Sequence, residues 1–142
     1  MVLKDKYINR KEVIMTDKLL NLLKLSYSPY SNFKVSSIVV TQDGNYFTGV
    51  NIENASYGAT TCAEKVAILK AVSEGYRKGD FKCLYVMTSS KQITPSCFLC
   101  RQMISEFFEP DNEVIFMNKN KEEKRYLVKD ICPLPFDNNY LK

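Results

Sequence analysis

Three cysteines and one glutamate stand at spacings that could build a single metal centre. Cys62 is followed two residues later by Glu64, in Thr61-Cys62-Ala63-Glu64. Cys97 and Cys100 are separated by two residues in Pro95-Ser96-Cys97-Phe98-Leu99-Cys100-Arg101-Gln102. Zinc takes thiolates in tetrahedral sites, so three protein ligands leave a fourth position open for a water. A carboxylate beside that water can carry protons to and from a substrate. The pattern points to hydrolytic chemistry rather than a structural metal site, which normally has four protein ligands. The chain contains no histidine, which excludes a Ser-His-Asp triad, a Cys-His dyad, an HExxH site and any imidazole ligand. It also has neither a Walker A sequence nor GxGxxG, so nothing suggests a phosphate cradle or a dinucleotide.

The elements that must position these residues follow from apolar periodicity and turn chemistry. Met15, Leu19, Leu22 and Leu23 follow helical spacing and predict a helix over 11–25, after a polar segment 1–10 expected to fray. Strands are predicted at 35–41 and 46–50, joined as a hairpin by Gln42-Asp43-Gly44-Asn45. A polar loop over 51–60 leads into a second helix, from 61 to about 74, ended by Gly75. That helix is apolar nearly all round and is expected to be buried. A core strand over 83–87, a third helix from about 96 to 108, a strand over 113–117 and a last short strand over 125–128 complete the pattern. Both cysteine motifs therefore fall at helix N-termini, where backbone amides favour thiolates. Lys65 and Arg101, adjacent to ligand positions, are the cations expected to support the thiolates. The order predicts an α/β fold with a mixed sheet.

The bulk properties narrow the function further. A chain of 142 residues fits one domain, 1–142. The formal charge of +4 is mild, and its densest run, 119–125, includes Glu122 and Glu123, so a solvated loop is expected there and no nucleic-acid partner. There is no apolar stretch of membrane-spanning length and no signal-peptide pattern. A cytoplasmic location with no membrane partner is expected, and the five cysteines are read as metal ligands and core residues. Cys83 and Cys132 fit no motif and are assigned to packing.

Five segments, in order, carry a family resemblance: Pro29-Tyr30-Ser31-Asn32-Phe33-Lys34-Val35, Gly49-Val50-Asn51-Ile52-Glu53-Asn54-Ala55-Ser56-Tyr57-Gly58, Cys62-Ala63-Glu64, Cys97-x-x-Cys100-Arg101-Gln102, and Pro133-Leu134-Pro135-Phe136. Together they resemble the small homotetrameric cytidine deaminases. The resemblance implies a three-layer α/β/α sandwich around a mixed five-stranded sheet, and one Zn2+ per subunit held by Cys62, Cys97 and Cys100. It implies Glu64 as the proton shuttle, Asn51 and Glu53 on the ribose 3′-hydroxyl, and the Ala63 amide on the base carbonyl. Phe33 would flank the base, Phe136 of a neighbouring subunit would close over it, and Ala55 and Tyr57 would lie near the ribose 5′ end across a subunit boundary. The implied reaction is deamination of cytidine and deoxycytidine to uridine and deoxyuridine in pyrimidine salvage. The alternative within this chemistry is a modified cytosine nucleoside such as blasticidin S.

The chain departs from the family pattern at three places. Lys65 stands where arginine is usual, Ser96-Cys97-Phe98 replaces Pro-Cys-Gly, and Ser36-Ser37 replaces Gly-Ala. Two other classes remain open at this level. A thiol-redox protein would use Cys97-x-x-Cys100 but leaves Cys62 and Glu64 without a role. A non-catalytic zinc-stabilised protein would need a fourth ligand.

Overall fold

Gly44, at φ 86°, takes the left-handed conformation that closes the turn between β1 (Val35–Thr41) and β2 (Tyr46–Val50). The computed structural model describes residues 2–142, with side chains from residue 11 onward. The two strands pair antiparallel from Ser36↔Val50 to Val40↔Tyr46. On its other edge β1 pairs antiparallel with β3 (Phe81–Thr88), which lies parallel to β4 (Glu113–Met117). β5 (Glu123–Leu127) adds antiparallel to β4. The sheet order is β2-β1-β3-β4-β5. Its single parallel pair needs a crossover, supplied by α3 (Phe98–Phe107).

Successive side chains of a strand face opposite sides of the sheet, and here both sides are covered. Ile38, Tyr85, Met87, Ile115 and Met117 meet Leu19 and Leu23 of α1 (Val2–Leu23) on one face. Val39, Leu84, Val86, Val114 and Phe116 meet Ala67, Ile68 and Ala71 of α2 (Ala63–Ser73) and Ile104 of α3 on the other. A short α4 (Val128–Ile131) closes the second core with Val128 and Ile131. This is the expected three-layer α/β/α arrangement around a mixed five-stranded sheet. Burial on both faces explains why the central strands read as apolar runs without clean alternation.

Several boundaries differ from expectation. α1 begins at Val2 rather than at residue 11; residues 2–23 contain no glycine or proline to stop it. β5 starts two residues earlier than expected because its side chains are charged, as an edge strand tolerates. α4 and the 3₁₀ turns Tyr57–Ala59 and Asn138–Leu141 are too short to leave a periodic signal. α2 is not buried all round, since Leu69 is 46% exposed.

One packing detail fixes the height of α2 over the sheet. A Cβ on Gly49 would lie 2.3 Å from the Ala63 carbonyl oxygen and 2.6 Å from the Ala67 nitrogen. Strand and helix backbones are therefore nearly in contact just below Cys62, and only glycine fits there.

Candidate active site

Each cysteine motif opens a helix. Cys62 is the N-cap of α2 and Cys97 the N-cap of α3, both with extended backbone. Helices predicted to start at 61 and 96 instead start one residue after a ligand candidate, at Ala63 and Phe98. Cys100 lies in the first turn of α3 and is fully buried. The three sulfurs lie within 4.8 Å of one another, and Cys62 Sγ is 4.0 Å from Cys97 Sγ. Tetrahedral zinc–sulfur bonds of about 2.3 Å put neighbouring sulfurs about 3.8 Å apart, so the cluster has the right span. The Cys100 thiol bonding to Cys62 pulls the Cys62 thiol down to about 6, against burial and the nearby Glu64 charge. Cys100 is pushed up by the same bond and by burial. One thiolate is thus favoured at neutral pH, and the orphan amides at two helix N-termini support negative charge there.

Glu64 sits in the first turn of α2, 4% exposed, and lines a cavity of about 270 Å³ with Cys62 and Cys97. Phe33, Asn51 and Ala63 line the same cavity. Asn51 is largely committed to structure: its Oδ1 accepts from Ser26 Oγ and from the Val35 amide at 2.9 Å, and its Nδ2 donates to the Phe33 carbonyl at 2.7 Å. One amide N–H of Asn51 is left for a ligand. Glu53 and Tyr57 line an adjoining groove that meets the cavity at Thr60. Glu53 accepts from the Tyr30 and Ser31 amides at 3.0 and 3.1 Å and from the Ser31 hydroxyl, which holds its carboxyl below the usual range. Ala55 is exposed and lines neither space. Phe136 also stands apart from the cavity: its ring is 56% exposed and stacks on Tyr140, with centroids 5.9 Å apart. Gln102 Nε2 holds its carbonyl at 2.7 Å.

Residues 9–118 match the family model of the cytidine and deoxycytidylate deaminase zinc-binding region. The chain belongs to this deaminase family. It is similar to a probable cytidine deaminase of Dictyostelium discoideum, at 43% identity over 80% of this chain and 75% of that one. It is also similar to a cytidine deaminase of Halalkalibacterium halodurans, at 39% identity over 78% and 83%. The solved cytidine deaminase of Burkholderia pseudomallei superposes with a TM-score of 0.78 at 37% identity, covering 84% of this chain and 98% of that one. The three thiols of this deaminase fit one zinc ion per subunit.

The two cations expected near the thiols of the deaminase act differently. The Lys65 charge lowers the Cys62 thiol, though it is the smallest of the contributions. Arg101 donates instead to backbone carbonyls, to Ser96 at 2.8 Å and to Ile131 at 3.2 Å, while Phe98 covers its guanidinium at 4.5 Å. It ties the loop before Cys97 to the end of α4, a support at one remove from sulfur. The Ser36-Ser37 departure is structural: both are fully buried, and their hydroxyls donate to the Leu19 and Tyr85 carbonyls at 2.8 Å. Sequence reasoning missed the cavity wall formed by Val35, Val86, Thr88 and Ser96. The one available signal was Ser96 itself, standing where the family has proline.

Proposed function

We propose that the chain is a zinc-dependent cytidine deaminase of one domain, 1–142, hydrolysing the C4 amine of cytidine and deoxycytidine to give uridine, deoxyuridine and ammonia. The observation that carries this reading is Glu64, buried at the start of α2 in the same cavity as Cys62 and Cys97. A carboxylate is costly to bury without a purpose, and Glu64 is 4% exposed on the wall of this cavity. Cys62, Cys97 and Cys100 would hold a zinc ion, which when bound would supply Lewis-acid activation of water at neutral pH.

The chain's own residues do the rest. Glu64 takes a proton from the attacking water, passes it to N3 of cytosine, and returns one to the departing amine. The Ala63 amide, unpaired within its helix, donates to the base carbonyl. Phe33 flanks the ring. The free Asn51 N–H and the Glu53 carboxylate, kept ionised by Ser31, meet the ribose 3′-hydroxyl.

The functional unit is a homotetramer with shared sites. Support comes from large apolar side chains left exposed on Tyr57, Phe98, Leu134 and Phe136, residues of the kind that an interface covers. Phe136, and with it Ala55 and Tyr57, then serves a neighbour's cavity. The setting is pyrimidine salvage in the cytoplasm. Incubating the zinc-loaded protein with cytidine or deoxycytidine, and following the ultraviolet change to the uracil nucleosides, tests the reading. Turnover of both supports it; turnover of blasticidin S alone replaces it.

A further inference from the structure

Among the described residues, two buried side-chain oxygens have no hydrogen-bond partner: Thr88 Oγ1 and Ser96 Oγ. Both residues line the cavity that holds Glu64, and they are 2% and 4% exposed. A buried hydroxyl without a partner bears the full desolvation cost of the group. Two of them on the wall of one cavity mark a place where a polar ligand group belongs.

The other hydroxyls of that cavity are already engaged. Thr60 Oγ1 accepts from the Asn54 amide at 3.3 Å, and Thr94 Oγ1 donates to the Gln92 carbonyl at 3.3 Å. The Ser96 carbonyl is taken by Arg101, which fixes the backbone beneath the free hydroxyl. Ser96 directly precedes Cys97, and Thr88 ends β3 two residues beyond Val86, on the same side of the strand. On the deaminase reading, Glu64 is occupied with the attacking water and N3. The C4 amine of cytosine carries two N–H donors that still need acceptors.

We propose that Thr88 and Ser96 are specificity-determining residues of this site, their hydroxyl oxygens accepting the two N–H groups of the base's C4 amine. The inference rests on the proposed function. In the reaction the water oxygen bonds to C4 and the C4–N bond breaks. The nitrogen keeps that electron pair and takes its proton from Glu64. The two hydroxyls only hold the amine and exchange no proton in net.

Binding to a catalytically silenced protein tests this without relying on turnover. Zinc-loaded Glu64→Gln protein is titrated calorimetrically with cytidine and with pyrimidin-2-one ribonucleoside, which has the same sugar and ring but no amine. The titrations are repeated with Ser96→Ala and Thr88→Val added, two changes that remove orphaned hydroxyls and leave Tm equal or higher. The expected result is a loss of about tenfold in cytidine affinity, with the amine-free ligand changed by less than about twofold. Equal weakening of both ligands, no weakening of cytidine, or no binding of cytidine to the Glu64→Gln protein overturns the inference. Failure of the deaminase reading shows separately, as absence of cytidine turnover by the unaltered protein.

Discussion

The two faces of the sheet draw on the same kinds of apolar residue but treat polar groups in opposite ways. Under α1, Leu19, Ile38, Met87 and Ile115 are buried, and the hydroxyls that reach this layer are engaged: Ser36 donates to Leu19 and Thr16 to the Glu12 carbonyl. Under α2 and α3 the sheet ends in a cavity with a buried carboxylate, two unpaired hydroxyls and two of the three clustered thiols on its wall. The difference comes from where the helices begin. α2 and α3 both start over the sheet with an N-cap cysteine, so orphan amides and side chains converge there. Among the described residues, α1 lays Met15, Leu19 and Leu23 on its face, with no ligand candidate at its start. One face is finished by folding, while the other is finished by metal and substrate.

If that contrast is correct, changes on the two faces should separate metal binding from stability. The largest effect is expected from Cys97→Ser. Losing a supporting residue outside the ligand shell commonly costs 10–100-fold in metal affinity, so loss of a ligand should cost at least about 100-fold, read by competition with a chromogenic chelator. Because Cys97 is exposed, the fold should survive in circular dichroism. Leu19→Ala on the other face should do the reverse. It removes a fully buried side chain and should cost about 2–5 kcal/mol in denaturant unfolding, with zinc stoichiometry and kcat per folded molecule unchanged. A Leu19→Ala protein that releases zinc would break the comparison.

Acid provides a smaller version of the same separation. Cys62 titrates near 6 before metal binds, and protons compete with zinc for thiolate. Its thiolate fraction falls from about 90% at pH 7 to about 10% at pH 5, so apparent zinc affinity should drop about tenfold from this group as pH falls. Unchanged affinity over that range would contradict the assignment of Cys62 as the thiolate of the cluster. The smallest effect is expected at the edge of the α1 face. Arg125 pairs there with Glu12, with Glu113 at 3.1 Å and with Glu123 at 3.2 Å. Partly exposed ion pairs contribute about 0–1 kcal/mol each, so Arg125→Met should change stability by little more than 1 kcal/mol and leave zinc in place.

How much of this was legible in the sequence depended on whether a feature is local. The cysteine motifs and the hairpin at Gly44 are set within a few residues, and both fell where expected. The sheet was legible as apolar runs except at β5, where charged edge residues carry no periodicity. Partnerships across the fold were not legible. The guanidinium of Arg101 chooses carbonyls 5 and 30 residues away over the neighbouring thiol. Whether a hydroxyl such as Ser37 or Thr88 finds a partner depends on strands and loops far apart in the chain. Glu53 is held in the groove adjoining the Asn51 cavity by the Tyr30 and Ser31 amides, 23 and 22 residues away in the chain.

The central claim is that Glu64 moves the protons while the thiols hold the metal. The most direct measurement is cytidine turnover by Glu64→Gln beside the unaltered protein, at matched zinc content and with Tm recorded. The account predicts full zinc occupancy, an unchanged melting temperature and a kcat lower by about 10²–10⁴-fold or more. Near-normal turnover by the zinc-loaded variant would contradict it.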